Sequence, residues 1–236
     1  VEDSHDDSSI EQHFYNIDRM HGSTDDNSRI TALHLVLLHY RSRSTVVFCN
    51  TKRETQEVAN ELRIKGFDVL ALHGDLDQKD RNQVLVRFSN KSTSVLVATD
   101  VASRGLDIES IDAVVNYHIS REPEVHTHRI GRTGRAGNKG IACTLFSEKE
   151  RYKLSLLEKY LCRTITAKVL PPQSLLQTLV FKSSMVTFQI GGGKKQKVRP
   201  GDILGALTGP LGVAGQDVGK IQLFDNWAYV AVSRSV

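Results

Sequence analysis

Cysteine is scarce in this chain of 236 residues, with only Cys49, Cys143 and Cys162. Three well-separated cysteines form no C-x-x-C pair and have no histidines at metal-ligand spacing. This pattern excludes a disulfide framework and predicts no bound metal. It favours a reducing compartment, so we expect a cytoplasmic protein.

Long hydrophobic runs are also missing. No apolar stretch approaches the roughly 20 residues needed to span a bilayer, so we expect no membrane insertion. The first residues include Glu2, Asp3, Asp6 and Asp7 instead of a cationic segment followed by an apolar one, which is unlike a secretory signal. We interpret residues 1–10 as a disordered lead-in.

The net charge of +4 is confined to one end of the chain. Residues 1–170 contain 24 basic and 24 acidic residues, whereas residues 171–236 contain 7 and 3. A basic tail beside a neutral larger region suggests contact between the tail and nucleic acid or another anion.

Short apolar runs alternate with helical patterns over most of the chain. The runs start at Val46, Val69, Val95, Ala113 and Ile141, with helical periodicity between them. This repeated βα pattern predicts an α/β fold with a parallel sheet and helices on both faces.

The βα rhythm stops near Val169, before Pro171 and Pro172. We therefore predict a large domain at 11–168, a linker at 169–184 and a smaller α+β domain at 185–236.

One decad, His-Arg-Ile-Gly-Arg-Thr-Gly-Arg-Ala-Gly at 128–137, has the strongest functional signal. On a helix, His128, Arg132 and Arg135 would share a face. Guanidinium groups so close together favour an anion among them, and a polyphosphate suits their forked donors. A solvated basic helix end is the alternative.

A second segment, residues 97–108, continues a buried run into a loop of small and polar residues. Such a loop can offer hydroxyls and backbone N–H groups to an anion, and Asp107 suits a ribose better than a phosphate. Helix capping and turn formation by Asp100 and Asp107 are the alternative.

Four motifs in order resemble those of the C-terminal RecA-like domain of DEAD-box RNA helicases. They are Val-Phe-Cys-Asn-Thr at 47–51, Gln-Lys-Asp-Arg at 78–81, Ala-Thr-Asp-Val-Ala-Ser-Arg-Gly-Leu-Asp at 98–107, and the opening of the decad at 128–135. The resemblance covers roughly residues 10–165 and implies a RecA-like sheet that binds ATP against a second such domain.

The resemblance also implies roles for individual residues. Arg132 and Arg135 would be arginine fingers that stabilise charge on the γ-phosphate. Gly105 and Asp107 would meet the ribose, and His128 and Arg129 would couple the fingers to the partner domain. The RNA backbone would contact four further residues, namely Thr51, Gly74, Arg81 and Thr99. From the residues alone, Thr51 could instead cap a helix, and Arg81 could pair with Asp77.

A phosphate-cradling G-x-x-x-x-G-K-[ST] loop and an Asp-Glu-Ala-Asp motif do not occur in the sequence. The nearest match, Gly219-Lys220, is followed by Ile221. We therefore expect that this chain alone does not hydrolyse ATP, and that Mg²⁺ is held by an N-terminal RecA-like domain outside it.

The tail contains a predicted strand near 186–190, a flexible basic loop, a helix from Pro200, and two further strands at 217–221 and 226–232. The loop carries four cations suited to phosphate: Lys194, Lys195, Lys197 and Arg199. A solvated loop is the alternative. Trp227 and Tyr229 would share a sheet face, where base stacking and core packing are both open.

Gly-Gly-Lys-Lys, Arg-Pro-Gly-Asp and Gly-Ala-Leu-Thr-Gly make this tail similar to the C-terminal RNA-binding domain of bacterial DbpA helicases. That resemblance implies recognition of a hairpin in 23S ribosomal RNA and a role in large-subunit assembly. The sequence ends soon after the third predicted strand, so we expect the RNA-recognition-motif-like sheet to be incomplete.

The sequence therefore predicts the C-terminal part of an ATP-dependent RNA helicase. A general DEAD-box helicase of other RNA and a DNA translocase are alternatives, and a non-catalytic RNA-binding fragment is a third.

Overall fold

The computed structural model describes residues 9–19, 25–103, 111–134 and 139–236. The large domain contains six strands: β1 Ile10–Asn16, β2 Thr45–Cys49, β3 Val69–Leu72, β4 Val95–Thr99, β5 Ala113–Asn116 and β6 Gly140–Phe146. Its helices are α1 Asp25–Tyr40, α2 Lys52–Ile64, α3 Gln78–Ser89, α4 Asp100–Ser103, α5 Pro123–Ile130 and α6 Arg151–Leu161.

The six strands form one sheet in the order β1-β6-β5-β2-β4-β3, and every adjacent pair is parallel. Strands β2, β4 and β5 are buried along their whole length, because helices cover both faces. The predicted α/β architecture is confirmed.

The edge strand β1 begins at Ile10, which pairs with Gly140. Ile10, the last residue of the predicted lead-in, is therefore part of the sheet. The first eight residues, predicted as a lead-in, lie outside the described residues.

The predicted linker lies against the large domain. Leu175, Leu176 and Phe181 pack against its core, Lys182 donates a hydrogen bond to the carbonyl of Gly66 (2.7 Å), and the amide of Ser183 donates to Asp68 (2.8 Å). These contacts restrict where the tail can sit.

The tail is a three-stranded antiparallel sheet with one helix. Strands β7 Met185–Ile190, β8 Val218–Leu223 and β9 Ala228–Ser233 have the order β7-β9-β8, and α7 spans Pro200–Leu207. One face of the sheet packs Ala228, Val230 and Val232 against Ile203 of α7. The predicted small α+β domain is therefore present.

The opposite face of the small sheet lies against α3 and the segment that follows it. Thr187 of β7 contacts the hydroxyl of Ser92, and Lys220 of β8 donates to Ser89 (3.4 Å). The central strand β9 is thus buried on both faces, whereas Phe188 of β7 is 54% exposed.

No helix in the described ranges combines the length and apolar character needed to cross a membrane.

Candidate nucleotide and RNA site

The candidate site lies at the carboxyl edge of the parallel sheet, where several strands end in polar residues. Ligands of open parallel sheets bind at this edge. Asn50 follows β2, Asp100 follows β4, and His118 follows β5, while α5 supplies Arg129 from the side.

Arg129 connects these strand ends. Its guanidinium is only 2% exposed and donates two hydrogen bonds to the carboxylate of Asp100 (2.7 and 2.8 Å). It also donates to the side chains of Asn116 and Asn50 (both 3.3 Å) and to the carbonyl of His118 (3.4 Å). All five N–H donors are therefore used inside the chain.

The guanidinium of Arg129 also lies 5.2 Å from the centre of the Phe48 ring. Its role is to hold three strand ends in one arrangement, which the sequence did not predict. Direct contact between Arg129 and a nucleotide or partner domain stays a prediction.

The Arg129–Asp100 ion pair stands between two neighbouring cavities. The first, of about 280 Å³, is lined by Phe48, Asp100, Ser103, Val125, His128, Arg129 and Arg132. The second, of about 310 Å³, is lined by Asn50, Thr51, Asp100, Ser120, Arg121, Glu122, Val125 and Arg129. The two cavities therefore share the side chains of Arg129 and Asp100 as a common wall.

The structure brings His128 and Arg132 together at the first cavity, although not as the helical spacing predicted. Helix α5 ends at Ile130, and the amide of Arg132 bonds the carbonyl of Arg129 in a tighter turn. His128 and Arg132 therefore reach the cavity from the end of α5 and from the turn after it, and not from one face of a continuous helix. The other predicted finger, Arg135, lies outside the described residues, as do Gly105 and Asp107.

The turn after α5 has a specific need for glycine. Gly134 has φ of +69°, and a Cβ there would lie 2.6 Å from the side chain of Ile10. A left-handed backbone and this close approach both disfavour a larger residue. The neighbouring Thr133 anchors the same turn by donating to the carbonyls of Ile111 and Asp112.

Of the four predicted RNA contacts, Thr51 and Gly74 are exposed at the carboxyl edge. A Cβ on Gly74 would lie 3.5 Å from the Lys52 side chain, so these elements adjoin. Lys52 forms an ion pair with Asp75 at the same place. Thr51 also caps α2, because its hydroxyl accepts a hydrogen bond from the amide of Glu54 (3.1 Å).

Arg81 is half-buried and donates to the carbonyl of Ala102 (2.6 Å). The alternative pairing with the Asp77 side chain is not the arrangement seen, because that carboxylate caps α3 at the amide of Asp80 (2.7 Å). Arg81 therefore braces the short helix α4, which directly follows Thr99 at the end of β4.

Thr99 is only 9% exposed, and its hydroxyl accepts from the amide of Ala102 (3.4 Å). In this conformation Thr99 offers little surface to a ligand. Contact between its side chain and RNA stays a prediction that would require the junction of β4 and α4 to shift.

The four tail cations are exposed, but the predicted flexible loop is an ordered turn. Residues Lys194–Gln196 form a single 3-10 turn, and the amides of Lys194 and Lys195 donate to the carbonyls of Phe224 and Asp225 (2.8 and 2.9 Å). A Cβ on Gly193 would lie 2.2 Å from the Phe224 carbonyl oxygen. This close backbone packing is the reason why the turn is ordered.

The tail aromatics form a cluster that includes one residue missed at the sequence level. Phe224 stacks on Trp227 with ring centres 6.1 Å apart and meets Tyr229 edge-on at 5.8 Å. Tyr229 is 1% exposed, whereas Trp227 is half-buried with the ammonium of Lys79 5.6 Å above its ring. Tyr229 is therefore packed in the core in this arrangement, whereas part of the Trp227 ring stays accessible to solvent.

The residues that sequence reasoning missed are mainly those that hold the strand ends. Asn50 and Asp100 follow apolar runs directly, so their positions carried a signal. Asn116 and His118 also follow an apolar run, but nothing in their spacing indicated a link to Arg129.

Within the described residues there is no group of three or more His, Cys, Asp or Glu side chains suited to a metal ion.

Comparison with known proteins agrees with both parts of the chain. Residues 27–137 match the helicase conserved C-terminal domain, and residues 187–236 match the DbpA RNA binding domain. ATP-dependent RNA helicase DbpA of Escherichia coli (strain K12) is 46% identical over 227 residues, covering 96% of this chain and 48% of that protein. The chain spans about half the length of the DbpA relatives that it matches.

Two solved structures share the fold. The E. coli DEAD-box protein SrmB, bound to regulator of ribonuclease activity A, has a TM-score of 0.59 and 31% identity over 74% of this chain and 98% of that one. Saccharomyces cerevisiae Dbp5 bound to RNA and ADP BeF3 has a TM-score of 0.60 and 29% identity over 69% of this chain and 42% of that one. From its sheet, its two matched domains and these relatives, the chain belongs to the DEAD-box RNA helicase family and corresponds to the C-terminal part of such a protein.

Proposed function

We propose that this chain provides the second RecA-like domain and the RNA-binding module of a DbpA-type, ATP-dependent RNA helicase. The observation that carries the proposal is the Arg129–Asp100 pair, which stands between a cavity with His128 and Arg132 and a cavity with Thr51 and Arg121. If two ligands bind on opposite sides of this ion pair, each would shift the pair and so affect the binding of the other.

The first cavity suits the terminal phosphate of ATP. Arg132 and His128 bring cationic or titratable donors to it, and Asp100, the one carboxylate among the described residues of its lining, is neutralised by Arg129. Bound ATP would supply the free energy of phosphoanhydride hydrolysis. Arg132 and Arg135 would stabilise the charge on the transferring phosphoryl group, while Gly105 and Asp107 would bind the ribose.

Thr51 of the second cavity precedes Lys52, which adjoins Gly74. We assign this edge, together with the α3 residue Arg81, to the RNA sugar-phosphate backbone. The RNA-bound structure of the Dbp5 relative supports RNA as the ligand class. Backbone contacts carry no base information, so sequence preference must come from another part of the chain.

The basic turn and Trp227 of the tail supply that preference in our proposal. The match of residues 187–236 to the DbpA RNA binding domain supports RNA as its ligand. We propose a hairpin of 23S ribosomal RNA as the target and large-subunit assembly in the cytoplasm as the setting, and the unpaired thiols fit a reducing compartment.

The chain alone would bind RNA without hydrolysing ATP, because it contains neither a phosphate-cradling loop nor an Asp-Glu-Ala-Asp motif. The Mg²⁺ and most of the nucleotide would be held by an N-terminal RecA-like domain. A non-catalytic RNA-binding role therefore describes the activity of the isolated chain.

A chimaera tests the catalytic proposal. This chain is fused to the N-terminal half of the E. coli DbpA relative, and RNA-stimulated ATP hydrolysis is measured for the parent, Arg132→Ala, Arg135→Ala and the control Arg163→Ala. Loss of an arginine finger should lower kcat by about 1,000-fold. The control should keep the parent rate, and full turnover by both finger variants would refute their assignment.

Competition binding tests the RNA target. The isolated chain is bound to a labelled 23S ribosomal RNA hairpin and challenged with a scrambled hairpin and with DNA. We expect the specific hairpin to compete best. Equal competition by all three nucleic acids would favour a general helicase, or a translocase that also acts on DNA.

A further inference from the structure

His118 bridges two carboxylates beside the proposed RNA edge. Its side chain is 21% exposed, and its two ring nitrogens face different partners. Nε2 lies 2.6 Å from Oε1 of Glu54, and Nδ1 lies 3.2 Å from Oε1 of Glu150.

This geometry requires a charged ring. A neutral imidazole has one N–H, and a carboxylate can only accept, so a neutral His118 could serve one of its partners. Both contacts form together when the ring carries both protons and the two carboxylates are ionised.

The surroundings keep both carboxylates ionised. Burial raises the pKa of Glu150, but the hydrogen bond from His118 and the charge of Arg29 outweigh it and bring that pKa to about 2. Glu54 shows the same balance, and its pKa is also lowered. Burial lowers the pKa of His118, yet its hydrogen bonds to Glu150 and Glu54 raise it above the ordinary value.

Every element around His118 contributes a charge. Helix α1 supplies Arg29, 2.7 Å from Glu150, and α6 supplies Lys153, 3.5 Å from the same carboxylate. Helix α5 supplies Arg129, which donates to the His118 carbonyl. The two carboxylates face the ring itself, and the charge of Arg29 opposes them by lowering the pKa of the ring. Lys153 acts through Glu150, and Arg129 acts through the His118 backbone.

Glu54 transmits the state of His118 to the RNA edge. Its second carboxylate oxygen accepts a hydrogen bond from the amide of Asn50 (3.0 Å), while its own amide donates to the hydroxyl of Thr51 (3.1 Å). The position of the Glu54 side chain therefore holds the turn that enters α2.

We propose that His118 is a positioning residue whose doubly protonated ring holds Glu54, and through it the Asn50–Thr51 turn, in the geometry that binds RNA. RNA affinity at this edge then falls as the pH rises and the ring loses a proton. The proposal rests on the proposed assignment of this edge to RNA.

The first test is independent of RNA. The pKa of His118 is measured by side-chain NMR titration in the intact chain, together with Glu54→Gln. We expect a pKa above 6.5 in the parent and a lower one in the variant, which keeps the shape of Glu54 but removes its charge. A parent value at or below 6.5 would overturn the inference.

The second test measures affinity for short oligouridine between pH 6 and pH 9 at fixed low salt. His118→Gln should bind about threefold more weakly than the parent at pH 6, the equivalent of one lost hydrogen bond. The difference should vanish at high pH. The exposed His39→Gln on α1 is the matched control and should keep the parent profile.

In the same assay, Thr51→Val distinguishes failure of the RNA assignment of this edge from failure of the role of His118. If Thr51→Val weakens binding while His118→Gln follows the parent at every pH, the RNA edge stands and the role of His118 is refuted. If Thr51→Val has no effect, the RNA assignment fails, and the role of His118 fails with it. Circular dichroism of each variant checks that it is folded.

Discussion

The carboxyl edge of the parallel sheet and the basic turn of the tail both concentrate cations, but they use them differently. At the sheet edge, Arg29 and Arg129 are 3% and 2% exposed, and both are ion-paired. In the tail, Lys194, Lys195 and Lys197 project into solvent from a backbone that is held by other atoms. Buried cations set geometry, whereas exposed cations act through charge.

The physical reason is the cost of desolvation. A cation removed from water must have its hydrogen bonds and charge satisfied by fixed partners, so its position becomes tied to theirs. An exposed lysine keeps its water and contributes little to stability. Substitution of a cation at the sheet edge should therefore lower the free energy of unfolding. Substitution of a cation in the basic turn should instead change the salt dependence of RNA binding.

The sharpest test of this comparison is Arg129→Met. Removing the guanidinium leaves Asp100 and the amide side chains around it without a donor, so we expect a loss of roughly 3 kcal/mol in the free energy of unfolding. Urea denaturation of the isolated chain measures it. Lys195→Met in the tail is the matched control and should change stability by less than about 0.5 kcal/mol. Equal effects of the two substitutions would remove the distinction between the regions.

A second test concerns the core that supports the tail. Val230 is 1% exposed between the sheet and α7, and Val230→Ala should cost roughly 2 kcal/mol through lost contacts and a small cavity. Trp227 is the single tryptophan of the chain and lies in the tail. Its fluorescence should therefore shift to lower urea than the helical circular dichroism signal, which comes mostly from the large domain. A single unchanged transition would contradict local destabilisation.

The third test uses salt. Each phosphate contact that is lost should reduce the slope of log affinity against log salt by about 1, so Lys194→Ala with Lys197→Ala should reduce it by about 2 for the hairpin RNA. Arg81→Gln, a change in a cation that braces the sheet edge, should weaken binding with a smaller change in slope. Slopes that are the same as in the parent would show that the tail cations do not contact phosphate.

The fourth and smallest effect is the acid sensitivity of the sheet edge. Burial, followed by the charge of Arg129, lowers the pKa of His126 to about 4. The folded state therefore favours the neutral ring, and this contribution is present above pH 6.5 and is lost as the pH falls toward 4. The expected loss is about 1 kcal/mol at pH 6.

Urea denaturation at several pH values checks this, with His126→Asn as the comparison. The variant should show a flatter decline in stability between pH 7 and pH 5 than the parent. His118 contributes with the opposite sign, because its raised pKa gives stability that is lost as the pH rises. A parent with no decline below pH 6.5 would rule out a buried neutral His126.

Much of the fold could be predicted from the sequence. The apolar run at Val46–Cys49 is a fully buried strand, and α2 at Lys52–Ile64 lies where helical periodicity was predicted between the runs at Val46 and Val69. Local patterns suffice there because burial on both faces and N-capping depend on neighbouring residues. The position of Arg132 was harder to predict, because α5 ends in a turn at Gly131, before Arg132.

The pairing of Arg129 with Asp100 could not be read from the sequence, since 29 positions separate the two residues. The same holds for the aromatic cluster, where Phe224 showed no motif of its own. The ordered basic turn depends on Gly193 packing against the backbone after β8, a contact that no composition rule reveals.

By itself, the sequence determined the alternation of strands and helices, the order of the motifs and the excess of positive charge in the tail. These properties are local, because they follow from residue type and spacing along the chain. Only the tertiary structure decided that Arg129 is an internal brace, that two cavities share the Arg129–Asp100 pair, and that the Tyr229 face of the small sheet is covered by α3. Each of these depends on distant segments meeting in space, where burial makes an ion pair or a ring contact specific to one arrangement.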